Sequence, residues 1–421
     1  MEKDIVIVGA GHAGISCAEA LRIKGFKGTL TVVDRQIGFP TEKPPLSKGA
    51  IVNGTNEDYS VPLLKPENWY VDNNIDLKTG ITATSIDRIN RKINLSNKNT
   101  ISYTTLVIAT GAIPIELGIT RKHPQSFTLR NSKDAKEISR AASTFKSALI
   151  IGCGYIGLEV AASLTERGLK VTVVETEHRP LAKISSSAIA EKLVQIHERK
   201  GVRFRFSNSV VNVDHLNNGF RALLRTGGHE IAEMIITGVG VSPDSILASA
   251  SSLARNDNDK NSICVNENFV TSDHHILAIG DVAKRVGAEK RIESVDNAQE
   301  DGKQAAAYIM KEVKQPRGVP WFWSDQYDKT LQIAGLVPTN DANVKMVFRP
   351  GKRGDGFSVW GFVDEKLTSV EAFSDPSSFA IGKRFLSDDL SPPSSEIIDS
   401  SVDLKTIYKR FHAKANGVNR A

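Results

Sequence analysis

Two clusters of residues in this 421-residue chain have the types and spacing that hold a phosphate-bearing dinucleotide. The first is Gly9-Ala10-Gly11-His12-Ala13-Gly14, with an acid, Asp34, twenty positions after its last glycine. The second is Gly152-Cys153-Gly154-Tyr155-Ile156-Gly157, with Glu175 eighteen positions after its last glycine. Each glycine has its own task. The first lets the chain turn tightly, the second lets a pyrophosphate approach the backbone, and the third lets a helix pack close to a strand. The pyrophosphate then lies on the helix N-terminus, where unpaired N–H groups and the helix dipole favour an anion. The acid takes the adenosine ribose hydroxyls. Glu175 is therefore expected to bond the 2′-hydroxyl of NAD and repel the 2′-phosphate of NADP, while Arg179 keeps NADP in contention.

The elements that must position these loops repeat along the chain. A strand-like run at 4–8 precedes the first loop, a helical pattern follows it to Arg22, and a strand at 29–33 ends in Asp34. The plan recurs as a strand at 148–151, a helix to about Arg167, and a strand at 171–174 ending in Glu175. Such a repeat predicts an α/β protein with two nucleotide-binding domains. Further strands are expected at 105–108, running into Ala109-Thr110-Gly111, at 234–241, and at 276–279, running into Gly280-Asp281. Residues 294–310 read as a helix and Pro316-Arg317-Gly318-Val319-Pro320 as a linker. Strands at 331–336, 345–349 and 357–363 then predict a small α+β region. The Ser-, Asp- and Pro-rich stretch 387–401 predicts a mobile segment.

Composition narrows the chemistry. Hydrophobic residues make up 40% and charged residues 24%, as in ordinary globular proteins. No apolar run reaches about 18 residues, so no membrane span is expected. The N-terminal apolar run reads as a buried strand and turn, so no signal peptide is expected. Cys17, Cys153 and Cys264 form no CxxC pair, zinc spacing or disulfide framework. The first two are expected to be small core residues, and the setting reducing and cytoplasmic. His274-His275 has no further ligand at suitable spacing, so no metal is expected. A net charge of +6 permits an acidic partner and is too evenly spread to argue for nucleic acid.

Five more segments are specific. Residues 271–281 read TSDHHILAIGD, 106–111 read LVIATG, and 44–48 read PPLSK; 291–298 read RIESVDNA, and 321–326 read WFWSDQ, followed shortly by LQIAGL. Together with the two glycine loops they make the chain, to roughly residue 375, similar to the FAD-dependent ferredoxin reductases of the putidaredoxin reductase type. Those enzymes serve Rieske oxygenases and bacterial cytochrome monooxygenases. The resemblance implies two Rossmann-like dinucleotide-binding domains of the glutathione reductase-like plan plus a small C-terminal α+β domain. The expected boundaries are 1–114 and 243–318 for a discontinuous FAD-binding domain and 115–242 for an NAD-binding domain. Residues 319–421 would form an interface domain with a mobile tail from about 387.

The resemblance also implies roles. FAD would be held by Gly9, Gly11, His12, Ala13, Gly14, Asp34, Lys43, Lys48, Ala109, Thr110, Gly111, Arg130, Gly280, Asp281, Ser294, Val295 and Trp323. Within that set Asp281 would bond the ribitol chain, Lys48 would lie near flavin N5, and the helix start at Ser294 and Val295 would face the pyrimidine edge. NAD would be held by Gly152, Gly154, Tyr155, Ile156, Gly157, Glu159, Glu175, Arg179, Gly238, Gly240 and Glu293. The catalytic set would be Lys48, Glu159 and Trp323. Glu159 would meet the nicotinamide and pair with Lys48. Trp321 and Trp323 alternate around Phe322, so a strand would place both on one face, with Trp323 as the flavin neighbour. Cofactors would be FAD and NADH, and the partner a small acidic 2Fe-2S ferredoxin, with the reductase a monomer or weak homodimer. The chain departs from the family's usual pattern at Thr41, Lys43, Ile113, Ile115 and Asp244, and its end after about Ser387 matches no family segment.

Residues 39–50 contain no cysteine, which excludes the thiol mechanism of flavoprotein disulfide reductases. No Cys/His pairs are present for an iron–sulfur cluster, so that centre would reside on a separate protein. Two alternatives stay open. One is an FAD-dependent NADH oxidase or quinone reductase, and the other is a redox binding protein like apoptosis-inducing factor.

Overall fold

The computed structural model describes residues 4–417 apart from 57, 122, 314, 340–342, 353 and 416. The chain forms two compact units. The first comprises Met1–Pro45, Val61–Ile115 and Val241–Arg317; the second comprises Leu46–Ser60, Glu116–Gly240 and Gly318–Ala421.

The first unit is built on a five-stranded parallel sheet, ordered Ile276–Ala278, Thr105–Ile108, Ile5–Val8, Leu30–Val33 and Asp76–Lys78. Its central strands are apolar at nearly every position and buried on both faces, as parallel sheets require. One face packs on helices His12–Ile23 and Val295–Ile309, which cross so closely that Gly302 has no room for a Cβ against the Cys17 backbone. The other face packs against a core that includes Ile86, Ile93, Leu247 and Leu253.

The second unit repeats the parallel sheet as Arg203–Arg205, Lys170–Val174, Ser147–Ile151, Met234–Thr237 and Ser126–Phe127. Each parallel sheet carries a three-stranded antiparallel meander, between Asp76–Lys78 and Thr105–Ile108 in the first unit and between Arg203–Arg205 and Met234–Thr237 in the second. These run Ala83–Ser102 in the first unit and Val210–Ala232 in the second, and the repeat read from the glycine loops did not reveal them. The strand expected at 234–241 stops at Thr237, because the chain turns at Gly238 and Gly240, the latter at φ 107°. Val241–Pro243 instead pairs antiparallel with Ala112–Pro114 inside the first unit.

The C-terminal part of the second unit is an antiparallel sheet ordered Trp321–Gln326, Lys329–Gly335, Lys366–Phe373, Phe357–Val363 and Val344–Pro350. Beyond it the expectation of a mobile tail from about 387 is corrected. Helices Ser394–Ile398 and Leu404–Ala415 follow Pro376–Ser387, and Ile397, Leu404 and Ile407 are buried in one core with Trp360, Val370 and Phe385. The Arg349 guanidinium ties this segment down through the carbonyls of Ile397, Asp399 and Val402. Within the stretch that read as disorder, Pro393 opens the helix at Ser394, and the Asp399 carboxylate accepts from the Ser401 N–H just past its end. Among the described residues no helix is long and apolar enough to cross a membrane.

Candidate functional site

In the first unit the glycine loop does what its spacing requires. Gly9 sits at φ 108°, a conformation that side-chain-bearing residues rarely adopt, and a Cβ there would collide with the Ala109 carbonyl. A Cβ on Gly14 would collide with the Gly9 carbonyl, so the helix is pressed onto the loop. Gly11 differs: it caps the helix at φ −78°, and a Cβ there meets nothing within 4 Å. Helix His12–Ile23 has no side-chain cap and no acid in its first turn. Its first N–H groups and the positive end of its dipole are thus left for an anion. The Asp34 carboxylate closes the loop, accepting from the Ala10 N–H at 2.6 Å and the Gln36 N–H at 2.7 Å.

The second unit has the same geometry. A Cβ on Gly152 would strike the Gly238 carbonyl, one on Gly157 would strike the Gly152 carbonyl, and one on Gly154 meets nothing within 4 Å. Helix Tyr155–Glu166 likewise lacks a side-chain cap and a first-turn acid. Glu175 accepts from the Cys153 N–H at 2.7 Å and from the Glu177 N–H at 2.9 Å, as Asp34 does from Ala10 and Gln36. Each carboxylate therefore stands beside its cradle with lone pairs remaining for ribose hydroxyls. Two other helices do carry side-chain caps: Asn131 with Asp134 forms a capping box, and Ser294 bonds the Asn297 N–H. Both loops fit a dinucleotide.

Other expected FAD-side residues lie in the first unit as follows. The buried His12 ring meets the Glu42 carboxylate at 2.7 Å. Lys43 donates to the Gln36 side chain at 3.4 Å. Ala109-Thr110-Gly111 is anchored by the Thr110 hydroxyl, which donates to the Asp244 carbonyl, and by the Asp244 N–H, which donates to Gly111. The Asp244 carboxylate, a departure from the family pattern, forms an ion pair with Arg35 at 2.7 Å. Gly280 and Asp281 form a tight turn, with Gly280 at φ 71°. The turn is held by Asp301, which the sequence reading did not single out. One oxygen of its buried carboxylate accepts from the Gly280 N–H at 3.0 Å, and the other takes Arg317 at 2.6 Å. Burial still leaves the Asp301 carboxyl above the usual range, with Arg317 opposing that rise. Ser294 and Val295 stand at the start of helix Val295–Ile309, and the exposed Glu293 pairs with Arg291 at 2.8 Å.

In the second unit, the segment after the short turn Pro44–Ser47 packs on the helix that opens the NAD-type cradle. The Ser163 hydroxyl donates to the Ser47 carbonyl at 2.7 Å, and Arg167 to the Ile51 carbonyl at 2.8 Å. This packing brings the Lys48 ammonium to 2.8 Å from the buried Glu159 carboxylate. Two serines complete the cluster: Ser324 donates to one Glu159 oxygen at 2.6 Å, and Ser47 donates to the other. Trp321 and Trp323 stack on one face of their strand, centroids 5.5 Å apart, with Phe379 and the Lys383 ammonium against Trp321. Tyr155 meets Phe322 edge-on at 4.5 Å, Ile156 is exposed at the helix start, and Gly238 and Gly240 border the loop. Arg179 is committed to its own loop, donating to the carbonyls of Pro180, Ala182 and Ser185. The Arg130 N–H donates to Asp134 at the start of helix Ser132–Thr144.

Thiol chemistry has no support at either cradle. Cys17 and Cys153 are buried; desolvation pushes the Cys17 thiol up to about 12 and raises that of Cys153 further, with the Glu175 charge adding to it. Ser47 and Ser324 at Glu159, and Asp301 at the Gly280 turn, carried no functional signal of their own, because each is a common polar residue that only the fold brings to its partner.

The comparisons agree with this geometry. The pattern of the family described as pyridine nucleotide-disulphide oxidoreductase matches residues 3–302, and that described as reductase C-terminal matches residues 321–408. Rhodocoxin reductase from Rhodococcus erythropolis is 33% identical over 96% of this chain and 94% of its own length. Putidaredoxin reductase CamA from Pseudomonas putida is 32% identical over 98% of each. Among solved structures, a ferredoxin reductase from Rhodopseudomonas palustris superposes with a TM-score of 0.90 at 31% identity, covering 97% of this chain and all of that one. The reductase in a covalent putidaredoxin reductase–putidaredoxin complex gives 0.89 at 31%, covering 98% and 99%. The likeness thus runs well past residue 375, into the helices that close the chain.

Proposed function

Because this chain belongs to the pyridine nucleotide-disulphide oxidoreductase family, as an FAD-dependent enzyme of its putidaredoxin reductase-like branch, we propose that it takes electrons from NADH and delivers them to a separate, small, acidic 2Fe-2S ferredoxin in the cytoplasm. That ferredoxin would serve a Rieske oxygenase or a cytochrome monooxygenase. The observation that carries the reading is the pair of matched glycine cradles, joined in the second unit to a half-buried Lys48 paired with the buried Glu159, where a disulfide reductase would need thiols.

FAD, when bound, would supply the hydride and single-electron chemistry that links NADH to an iron–sulfur protein. The protein's part is binding, orientation and electrostatics. Gly9, Gly11 and Gly14 with Asp34 would hold the pyrophosphate and ribose of FAD, and Asp281, on the turn fixed by Asp301, its ribitol. Gly152, Gly154 and Gly157 with Glu175 would hold NADH. Glu175 selects a free 2′-hydroxyl, and Arg179, spent on three carbonyls, offers little to a 2′-phosphate. The Lys48 ammonium would favour negative charge on the reacting ring, and Glu159 would hold that ammonium in place. Trp323 would stand at the docking surface. One of the similar structures is a ferredoxin reductase and another was solved joined to putidaredoxin, which supports the same partner class here.

The test is anaerobic reduction of the FAD-loaded protein by NADH, followed by mixing with a panel of 2Fe-2S ferredoxins, oxygen and quinones. Ferredoxin reduced fastest supports the reading. Oxygen or quinone reduced faster than every ferredoxin transfers it to an NADH oxidase or quinone reductase.

A further inference from the structure

Behind the Lys48–Glu159 pair runs a line of buried polar groups within the second unit. Along strand Trp321–Gln326 the side chains of Ser324 and Gln326 share a face, and both are buried. The Ser324 hydroxyl bonds Glu159 at 2.6 Å, and the Gln326 amide nitrogen bonds the Ser324 oxygen at 3.1 Å. The Gln326 amide oxygen lies 2.8 Å from Nε2 of His197, on helix Ser187–Arg199, and the Tyr327 hydroxyl lies 3.2 Å from Nδ1. His197 is fully buried.

The direction of every bond follows from one end. The Glu159 carboxylate, beside an ammonium, takes the acceptor side, so Ser324 gives its single proton to Glu159. Ser324 then accepts from Gln326, and only the amide nitrogen can donate. The amide oxygen is left facing His197, which requires a proton on Nε2. Nδ1 is then an acceptor, and it takes the Tyr327 proton. Turning the Gln326 amide over would set its oxygen against a serine with no proton to give. Burial independently holds the His197 ring neutral, lowering its pKa to about 4 against the opposing bond to Gln326. A carboxamide does not relay protons readily, so the line is not a proton wire. Every dipole in it points its positive end at Glu159, and such chains polarise one another.

We propose that Tyr327, His197, Gln326 and Ser324 are positioning residues, an oriented hydrogen-bond chain that holds the Glu159 carboxylate aimed at Lys48. The role rests on the reading that Lys48 and Glu159 act in hydride transfer from NADH.

Two measurements test it. In apoprotein labelled with 15N-histidine, the signal lost in His197→Phe should report the neutral Nε2–H tautomer and stay neutral down to about pH 5, just above the ring's depressed value of about 4. In the FAD-loaded enzyme, stopped-flow reduction at saturating NADH should slow about tenfold in Ser324→Ala, the size expected for losing a bond to a buried charge. The NADH concentration for half-saturation should stay within about twofold, and Ser324→Thr should return the rate to within about threefold. An Nδ1–H tautomer, or a wild-type rate in Ser324→Ala, overturns the proposal. Should Ser324→Ala not fold, Gln326→Leu takes its place, with the tautomer still read in the native protein. Neither measurement uses a ferredoxin, so failure of the native enzyme to reduce one overturns the proposed activity alone.

Discussion

The Lys48 ammonium stands 2.8 Å from the Glu159 carboxylate, which is buried and also bonded by Ser47 and Ser324. A pair so enclosed is costly to break from one side, because the remaining charge is stranded. Lys48→Met should keep FAD bound, lower the flavin reduction potential and slow reduction by NADH. With Glu159→Gln it should form a double-mutant cycle with a coupling of about 1–3 kcal/mol in transition-state energy. Potentiometric titration and single-turnover kinetics check both. Additive effects and an unmoved potential would reduce Lys48 to a structural lysine.

The glycine cradles separate folding from binding. Gly11 has open space where a Cβ would go and an ordinary φ of −78°, whereas Gly14 abuts the Gly9 carbonyl. Gly11→Ala should therefore give an apoprotein that melts like the native one and binds FAD at least about tenfold more weakly, or about 1.4 kcal/mol. Gly14→Ala should lower the melting temperature of the apoprotein itself. Calorimetry and flavin fluorescence titration distinguish these outcomes, and equal FAD affinity in Gly11→Ala and native protein would remove the pyrophosphate from that loop.

Nucleotide choice should follow Glu175. NADH is expected to exceed NADPH in kcat/KM by at least about tenfold, about 1.4 kcal/mol of discrimination. Glu175→Ala should narrow that ratio by relieving repulsion of the 2′-phosphate. Steady-state rates at saturating acceptor decide it. Equal rates in the native enzyme would mean that Arg179 leaves its carbonyl partners to meet NADPH.

His197 gives the fold a pH dependence of known sign. Burial depresses its pKa from 6.5 to about 4. Between those values the unfolded chain binds the extra proton, so this contribution is fully present above about 6.5 and is lost as pH falls through 4. The whole shift corresponds to roughly 3 kcal/mol. Denaturant unfolding of the native protein and of His197→Phe, compared at pH 7 and 4.5, should show a steeper acid loss in the native protein. Parallel pH profiles would mean that the ring protonates normally in the fold.

What the sequence revealed and what it hid divide along physical lines. The two cradles were legible because their sterics are local: Gly9 against Ala109 and Gly152 against Gly238 follow from the loop and the strand beside it. The parallel strands were legible as unbroken apolar runs. The meanders at 83–102 and 210–232 were not, since their half-exposed strands alternate weakly and bear no glycine signature. The closing helices were misread because helix caps and disordered linkers use the same residues, and the apolar spacing of Leu404 and Ile407 was outweighed by the Ser, Asp and Pro before it. Ser47, Ser324 and Gln326 lie in the segments 44–48 and 321–326, but their contacts, and the part played by His197, could not be read from one sequence. They share a cluster only because strand Trp321–Gln326 and helix Ser187–Arg199 turn polar side chains inward.

The partner surface is expected to be read by salt. The net charge is +6, and the stacked pair Trp321 and Trp323 lies beside the Lys383 ammonium on a partly exposed strand face. A small acidic ferredoxin approaching such a face is steered by charge, which acts on the on-rate more than on final affinity. Electron transfer to ferredoxin should therefore fall steeply between about 0.05 and 0.5 M salt, as the Debye length shrinks to a few ångströms. Ferricyanide, a small anion that needs no docking surface, should be reduced by Trp323→Ala far better than ferredoxin is. If the tryptophan were only a packing residue, Trp323→Ala would depress melting temperature and both activities together. Rates with both acceptors across a salt series, on both proteins and beside melting curves, separate the two cases. A Trp323→Ala enzyme that loses ferredoxin and ferricyanide reduction in equal proportion would place the docking surface elsewhere on the chain.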